Sequence, residues 1–285
     1  MNKAFLILMI LCSAGLSVFA QGNDTDFIQV VYKQIDTVSL SMDIYYPPDM
    51  DNAKSYPAMI FFFGGGWKGG SAKQFEPHAS YFSGRGIICV LADYRVASRQ
   101  KTSPFESLKD AKSAIRFIRE NAAAFQIDTG KIIASGGSAG GHLAAATALV
   151  SKFNEPGDEL SVSCIPNALV LFNPVIDNGP AGYGYERIGD AYKDFSPLHN
   201  ITAGVPPTIF FLGTNDKLIP VETAKYYQRA MVNVGSRCEL FLYEDQPHGF
   251  FNFKNREYYN KTVLEADKFL ISLGYLTGEP EIVLE

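Results

Sequence analysis

The chain has 285 residues, of which 47% are hydrophobic and 19% are charged, an ordinary composition for one globular domain with a sizeable core. Its formal net charge of −5 at pH 7 gives no reason to expect a nucleic-acid partner or binding to an anionic membrane surface. The spacing of its cysteines resembles no zinc site, so no metal is expected.

Residues 1–20 have the features of a cleaved signal peptide. Lys3 supplies a positive charge, Ala4–Leu16 is apolar, and Val18-Phe19-Ala20 places small residues at the −3 and −1 positions of a cleavage site. A membrane anchor is the alternative, but a spanning helix needs about 20 apolar residues, and this segment is shorter. We therefore expect cleavage after Ala20, export to the periplasm or the medium without stable membrane association, and a mature domain over residues 21–285.

Downstream, short apolar strands alternate with amphipathic helices, which is typical of parallel βαβ architecture. The opening strands, Phe27–Tyr32 and Val38–Tyr46, suit a half-exposed antiparallel pair, because the second alternates apolar and polar side chains. Six later strands are mostly continuous apolar runs, as expected of strands covered on both faces. Those strands are Met59–Phe63, Ile87–Ala92, Ile132–Ser135, Ala168–Phe172, Thr208–Leu212 and Glu239–Tyr243. The pattern predicts a single α/β domain with a mostly parallel, doubly wound sheet of about eight strands.

Helices are predicted between the strands. Ser103-Pro104-Phe105-Glu106 combines an N-cap serine, a first-turn proline and the glutamate of a capping box, so a helix begins there. Val221–Val234 is a second helix that ends at Gly235, and apolar residues from Val263 to Leu273 mark a closing helix. Because sites in doubly wound sheets form at the carboxyl ends of strands, functional residues are expected directly after strands.

The first such motif is Gly136-Gly137-Ser138-Ala139-Gly140, which follows the strand Ile132–Ser135 and opens a helix. This is G-x-S-x-G in the strand–turn–helix context of a nucleophile elbow. The turn is so sharp that side chains flanking the serine would collide, and the new helix directs its first amides at charge developing on a substrate. We therefore predict Ser138 as the nucleophile. His142 lies on the same helix face and is expected to pack or to form hydrogen bonds.

A nucleophilic serine needs an imidazole that accepts its proton. Only two histidines lie well downstream of Ser138. His199 precedes the penultimate strand and has the character of a loop residue. His248 follows the last strand, at the carboxyl end where the base is expected, so His248 is the predicted base.

Three aspartates could orient that imidazole. Asp216 directly follows the strand Thr208–Leu212 and leaves room for one helix and one strand before His248. Asp177 follows an earlier strand and remains possible, whereas Asp245 is so near His248 in the chain that a facing geometry is awkward. Asp216 is the predicted acid.

A third motif is Gly64-Gly65-Gly66-Trp67, which directly follows the buried strand Phe61-Phe62-Phe63. Glycines in such a place let the backbone approach a substrate and leave its N–H groups free to donate. A simple flexible turn is the alternative. The position one βαβ layer before Ser138 favours an oxyanion-hole loop, because this arrangement places the second donor there.

Together these motifs resemble the α/β-hydrolase esterases and lipases that carry an HGGG-type motif. They are most similar to the exported bacterial acetyl and feruloyl esterases, of the acetylxylan type, that act on plant polysaccharides. The resemblance covers the chain from about Asp43 to Phe253. It depends on Gly64-Gly65-Gly66-Trp67, Asp93-Tyr94-Arg95, Gly136-Gly137-Ser138-Ala139-Gly140-Gly141-His142-Leu143, Gly213-Thr214-Asn215-Asp216 and Pro247-His248-Gly249-Phe250.

The resemblance implies an α/β-hydrolase fold and an oxyanion hole formed by the backbone N–H groups of Gly65, Gly66 and Ala139. It also implies hydrolysis of small acyl esters through an acyl-enzyme, without a cofactor. A serine peptidase or amidase of the same fold, and a non-catalytic binding protein on this scaffold, are the alternatives. Phe63 stands where the family has a histidine, so the hydrogen bond that would hold the glycine loop is not expected.

Other residues allow weaker expectations. The irregular stretch Asp177–Leu198 carries aromatic side chains that could stack on a sugar or feruloyl ring, or pack on one another. They are Tyr183, Tyr185, Tyr192 and Phe195. Asp93-Tyr94-Arg95 is expected to be structural rather than to line the site. Cys89 and Cys238 are expected to be buried thiols, and with Cys164 the mature domain can form at most one disulfide.

Overall fold

The computed structural model describes residues 18–19 and 27–282. The rest of the predicted signal peptide lies outside the described residues. The described strands are β1 Val18–Phe19, β2 Phe27–Ile35, β3 Val38–Tyr45, β4 Tyr56–Phe62, β5 Ile88–Ala92, β6 Ile127–Gly137, β7 Ala168–Phe172, β8 Thr208–Gly213 and β9 Cys238–Tyr243.

Nine helices are described in the same part of the chain, and several are single turns. They are α1 Glu76–Gly84, α2 Ala97–Gln100, α3 Pro104–Glu120, α4 Ala122–Phe125, α5 Ala139–Leu149, α6 Tyr185–Ile188, α7 Tyr192–Phe195, α8 Val221–Asn233 and α9 Arg256–Ser272. Short 3-10 helices span Ala72–Phe75, Gly189–Ala191 and Pro197–Asn200.

The described strands form one sheet in the order β1-β2-β3-β5-β4-β6-β7-β8-β9. The first strands pair antiparallel as far as β3 with β5, and every pair from β5 with β4 through β8 with β9 is parallel. The predicted α/β-hydrolase fold, with eight strands in a mostly parallel sheet, is confirmed. The two-residue β1 was not predicted. β6 begins at Ile127 rather than Ile132, because Ile127 pairs with Tyr56 across an irregular register.

The apolar side chains of the sheet form two cores, one on each face. The first packs the sheet against α3, α5 and α8 and includes Ile60 of β4 and Leu143 of α5. The second packs it against α1 and α9 and includes Phe61 of β4 and Val263 of α9. Adjacent strand residues thus point into opposite cores, which explains why the central strands are apolar throughout.

Caps and buried charges fix the helices that flank the site. The predicted capping box at the start of α3 is present: Glu106 accepts from the backbone N–H of Ser103 at 3.0 Å. Lys112 of α3 is buried, and its Nζ donates to the carbonyls of Val150, at 2.6 Å, and Lys152. Val150 is the C-cap residue of α5, so the ammonium donates to a helix terminus whose carbonyls lack donors. Burial lowers the pKa of Lys112 to about 8.

Asp93-Tyr94-Arg95 serves the fold, as expected. Arg95 pairs with the fully buried Asp110 at 2.8 Å and with Glu155 at 2.8 Å, and Asp93 pairs with Arg99 at 2.6 Å. These ion pairs join the end of β5 to α3 and α2.

The three cysteines of the described chain, Cys89, Cys164 and Cys238, are buried free thiols. Burial raises the pKa of Cys89 and Cys238. No helix among the described residues combines the length and the apolar character that a membrane crossing requires.

Candidate active site

Ser138 occupies a strained turn between β6 and α5. Its backbone has φ 55° and ψ −119°, a conformation that non-glycine residues rarely adopt. A Cβ placed on Gly140 would lie 2.0 Å from the carbonyl oxygen of Phe62, so only glycine allows this close approach. Ser138 N donates to the Phe172 carbonyl at 3.0 Å, and Val175 N donates to the Ser138 carbonyl at 3.0 Å. The turn is therefore held by hydrogen bonds to β7 and to the segment that follows β7.

Ser138, His248 and Asp216 form a continuous hydrogen-bonded row. Ser138 Oγ lies 2.9 Å from His248 Nε2, and His248 Nδ1 lies 2.7 Å from Asp216 Oδ2. The Asp216 side chain is 0% exposed, and its Oδ1 accepts from the backbone N–H groups of Leu218 at 2.8 Å and Ile219 at 3.0 Å. These contacts leave the carboxylate one orientation, with Oδ2 directed at the imidazole.

The structure separates Asp216 from the other two candidate acids. Asp177 Oδ1 accepts from Gly179 N at 2.8 Å and lies 3.8 Å from His199 Nδ1, so these two sequence candidates contact each other. Asp245 has a φ of 57°, and no described contact joins its carboxylate to the imidazole of His248. Of the three aspartates, only Asp216 contacts His248.

His142 packs beneath the site, as expected. Its ring is buried, stacks on Phe195 with centroids 4.4 Å apart, and places Nε2 3.2 Å from the Phe195 carbonyl. Burial lowers the pKa of His142 to about 3, so the ring stays neutral and bears no charge near the nucleophile.

The structure leaves the three predicted oxyanion-hole amides unpaired. Within the described residues, no hydrogen bond uses the backbone N–H groups of Gly65, Gly66 or Ala139, the last being the first residue of α5. The N–H of Gly64, in contrast, donates to Gln74 Oε1 at 2.7 Å. Gly65 has a φ of 130°, which an L side chain rarely adopts. Free amides beside Ser138 suit a developing oxyanion.

The oxyanion loop, Gly64–Trp67, is supported even though Phe63 stands where the family has a histidine. The Phe63 ring stacks on Tyr94 with centroids 4.0 Å apart and an interplanar angle of 14°. The Tyr94 hydroxyl donates to the Phe63 carbonyl at 2.6 Å. Tyr94 therefore holds the backbone at the start of the oxyanion loop, in place of the side-chain hydrogen bond that Phe63 cannot form.

The segment around Tyr183 covers the outer side of the oxyanion loop. Arg187 donates to the carbonyl of Gly66, and its guanidinium lies 5.2 Å from the Trp67 ring centroid. A Cβ on Gly66 would lie 2.6 Å from the Tyr183 hydroxyl. Tyr183 thus borders the site, whereas Phe195 is buried and packs against rings of other segments, including Trp67 and His142.

Asn173 is a site residue that the sequence analysis missed. Its Oδ1 accepts from Gly249 N at 3.0 Å, and its Nδ2 lies 3.3 Å from His248 Nε2. The available signal was a polar side chain directly after the buried strand β7, where this fold places functional residues. Gln74, in the 3-10 helix Ala72–Phe75, and Asn252, in the loop that carries His248, left no such signal, because neither directly follows a strand.

The arrangement can carry out nucleophilic acyl transfer. It has a nucleophile, a base within hydrogen-bond reach, a buried carboxylate on the base, and free amides beside the nucleophile. Across residues 18–19 and 27–282, no group of three or more His, Cys, Asp or Glu side chains is arranged to hold a metal ion.

Comparisons with known proteins agree with this chemistry. Residues 42–178 match the family described as BD-FAE, and residues 181–270 match the dienelactone hydrolase family. Among solved structures, esterase 2 of Thermogutta terrifontis phosphorylated by paraoxon is 45% identical, with a TM-score of 0.85 over 89% of this chain and 96% of that one.

Curated relatives are more distant. A probable isoprenylcysteine alpha-carbonyl methylesterase of Arabidopsis thaliana is 28% identical over 232 residues, which are 73% of this chain and 48% of that protein. An acetylxylan esterase of Xylanibacter ruminicola is 27% identical over 203 residues, 64% of this chain and 39% of that protein. The chain spans about half the length of the curated relatives it matches.

Proposed function

The chain belongs to the α/β-hydrolase family of serine esterases, and from that premise we propose that it hydrolyses carboxylic esters at Ser138. His248 is the base and Asp216 orients it. The observation that carries the proposal is the unbroken row from the buried carboxylate through the imidazole to Ser138 Oγ, with contacts of 2.7 and 2.9 Å.

In the proposed reaction Ser138 Oγ attacks the ester carbonyl carbon while His248 Nε2 takes the hydroxyl proton. Asp216 stabilises the resulting imidazolium, and the N–H groups of the predicted oxyanion hole, Gly65, Gly66 and Ala139, donate to the carbonyl oxygen as it becomes negative. The C–O bond to the alcohol breaks as His248 returns the proton to the leaving oxygen. Water then repeats the sequence on the acyl-enzyme and releases the acid.

The proposed substrates are small acyl esters, acetyl or feruloyl, of plant-type polysaccharides such as xylan. The acetylxylan esterase among the relatives supports this class. Tyr183 borders Gly66 closely, which favours a short acyl group on that side. Trp67 is buried, so the half-buried Tyr183 is the aromatic side chain best placed to contact a sugar or aromatic ring.

The test is an assay of the purified full chain on p-nitrophenyl acetate, butyrate and octanoate and on acetylated xylan. Ser138→Ala should lower kcat by a factor of about 10⁴ or more, while Ser80→Ala, an exposed serine on α1, should retain wild-type activity. Paraoxon should add one diethylphosphoryl group to wild type, located on Ser138 by peptide mass analysis, and none to Ser138→Ala. Folded wild type without turnover of any ester would contradict the proposal, and faster turnover of p-nitroanilides would indicate an amidase.

We also propose that residues 1–20 are removed as a signal peptide and that residues 21–285 form the exported catalytic domain. This proposal is supported by the sequence of the N-terminal segment alone. Expression of the full chain in a Gram-negative bacterium, followed by fractionation and intact-mass measurement, tests it. A periplasmic product beginning at Gln21 is expected, and an unprocessed cytoplasmic product would contradict it.

A further inference from the structure

Two side-chain amides bridge the oxyanion loop and the loop that carries His248. Gln74 lies in the 3-10 helix Ala72–Phe75, four residues beyond the oxyanion loop, and its Oε1 accepts from Gly64 N at 2.7 Å. Gln74 Nε2 donates to Asn252 Oδ1 at 2.8 Å, and Asn252 Nδ2 donates to the Gly249 carbonyl at 2.7 Å. The bridge thus connects backbone groups on the two sides of the nucleophile.

Both amides have one orientation that satisfies every partner. Gly64 N can only donate, so it requires Gln74 Oε1, and the Gly249 carbonyl can only accept, so it requires Asn252 Nδ2. The remaining ends of the two side chains, Gln74 Nε2 and Asn252 Oδ1, are then a matched donor and acceptor. Rotation of either amide by half a turn would break two hydrogen bonds at once, so the chain of contacts is self-consistent.

The ends of the bridge are next to the reacting groups. A Cβ on Gly64 would lie 3.4 Å from Ser138 Cβ, and Gly249 directly follows His248. Because Gln74 occupies the N–H of Gly64, that amide is not free to bind a substrate, and the hydrogen bond anchors the start of the loop that carries the next amides. Asn173 holds Gly249 from the other side through its N–H, at 3.0 Å.

We propose that Gln74 and Asn252 are a positioning pair that holds the oxyanion loop at a fixed distance from His248. Neither side chain touches the reacting atoms; each acts through the backbone that it binds. The inference depends on the proposed function, because it assigns the pair to the same reaction. The pair fixes the position of the oxyanion amides relative to His248, and both must be in place in the same transition state. It should therefore affect kcat rather than substrate binding.

Two isosteric variants cut the bridge at different points. Gln74→Glu still accepts from Gly64 N, but its carboxylate cannot donate to Asn252. Asn252→Asp still accepts from Gln74, but its carboxylate cannot donate to the Gly249 carbonyl, which keeps only the backbone N–H of residue 252, at 3.2 Å, as a donor. Each variant should lower kcat on p-nitrophenyl acetate about 10-fold with KM nearly unchanged, a smaller loss than removal of an oxyanion donor causes.

The pH dependence distinguishes positioning from a general structural role. A protonated glutamic acid at position 74 can again donate to Asn252, so the kcat of Gln74→Glu relative to wild type should rise as pH falls through the pKa of the new carboxyl. Lys73, Glu76 and Lys254 line the cleft beside the pair and also influence the new carboxyl. The profile is therefore read as a ratio to wild type measured at each pH, which removes the pH dependence that the two enzymes share.

The matched control is Gln228→Glu. Gln228 is another half-buried glutamine with one hydrogen bond to backbone, to the Cys238 carbonyl at 3.2 Å, at the opposite edge of the sheet from Ser138. Its variant should keep the wild-type kcat at every pH. In addition, Gln74→Ala, Asn252→Ala and the double variant form a mutant cycle, in which the double variant should lose no more activity than the worse single variant.

Folded variants that keep the wild-type kcat, or losses that multiply in the cycle, would overturn the positioning role while leaving the proposed function intact. Circular dichroism and thermal midpoints identify the folded variants. An inactive wild type would contradict the proposed function itself and the role of the pair with it.

Discussion

The hydroxyl of Tyr94 donates to the carbonyl of Phe63 at 2.6 Å, and the two rings stack 4.0 Å apart. Tyr94 is fully buried at the end of β5, and Phe63 is the residue that enters the oxyanion loop. Because β4 and β5 are neighbouring strands, the Tyr94 hydroxyl lies where it can hold the start of the oxyanion loop. The Phe63 side chain cannot do so, since it has no donor.

Removal of that hydroxyl should weaken the oxyanion loop. Tyr94→Phe keeps the stacked ring but leaves the buried Phe63 carbonyl without a donor, which costs about 1–3 kcal/mol of unfolding free energy. We expect kcat to fall several-fold as well, measured with p-nitrophenyl acetate. Tyr259→Phe is the control, since it removes a similar bond to the Pro77 carbonyl, at 2.8 Å, away from the loop. An equal loss of kcat in both variants would argue against a specific role for Tyr94.

Loss of the Asp216 carboxylate should nearly abolish catalysis without unfolding the chain. In Asp216→Asn the oxygen that accepts from Leu218 and Ile219 can remain, but an amide nitrogen facing His248 favours the wrong tautomer. We expect kcat to fall by a factor of about 10⁴.

Asp177→Asn and Asp245→Asn are the matched controls for this prediction, because both aspartates were candidates for the same role. Each should retain most of the wild-type kcat. A larger loss in Asp177→Asn than in Asp216→Asn would show that the wrong carboxylate has been assigned to the base.

The buried His78 and His142 should make the stability of the fold sensitive to acid. His78 packs among Phe75, Phe172 and Tyr259, neither of its ring nitrogens has a hydrogen-bond partner among the described residues, and burial lowers its pKa from 6.5 to about 3. Between these values the unfolded chain binds a proton that the folded chain does not. Stability is therefore lost as pH falls through 6.5, by up to about 1.4 kcal/mol per pH unit for each such histidine.

His78→Phe should remove one of these contributions. Urea unfolding of variant and wild type over the same pH range should give a shallower loss of unfolding free energy for His78→Phe. His199→Phe serves as the control because the His199 side chain is 35% exposed. Parallel curves for wild type and His78→Phe would show that the His78 ring does titrate in the folded protein.

The buried Lys112 should make the stability of the fold depend on pH in the alkaline range. Its pKa is lowered from 10.5 to about 8 by burial, so between these values the unfolded chain binds more protons and stability from this group rises with pH. Lys112→Met should lose about 1–3 kcal/mol of unfolding free energy, because the Val150 and Lys152 carbonyls lose their donor. The deficit relative to wild type should grow as pH rises from 8 to 10. A deficit that shrinks over this range in urea unfolding would contradict the lowered pKa of Lys112.

Tyr183 should limit the size of the acyl group. Tyr183→Ala removes the ring whose hydroxyl borders Gly66, which makes room for a longer chain. The ratio of kcat/KM for p-nitrophenyl butyrate over acetate should rise about 10-fold, as expected for two additional methylenes that become buried. Tyr185→Ala, whose ring packs on Tyr192 at 6.0 Å, should leave the ratio unchanged. An unchanged ratio in Tyr183→Ala would place the acyl group elsewhere.

The sequence by itself determined the architecture and the places where chemistry could occur. Continuous apolar strands such as Ala168–Phe172 require cover on both faces, and the glycines around Ser138 are required by the backbone of the elbow itself. Such requirements act within a few residues, so they can be recognised in the sequence. The same holds for the capping box at Ser103, which the structure reproduces.

Only the tertiary structure decided which distant side chains meet. Asp177 and Asp216 both follow buried strands, and the spacing along the chain favoured Asp216 as the partner of His248 without excluding Asp177. The choice arises because β8 and β9 are neighbours in the sheet, which brings their following loops together. The contact between Gln74 and Asn252 joins residues 178 positions apart, so no local pattern announces it. Hydrogen bonds of this kind depend on loop geometry at the end of the sheet, and that geometry exists only after the strands have assembled.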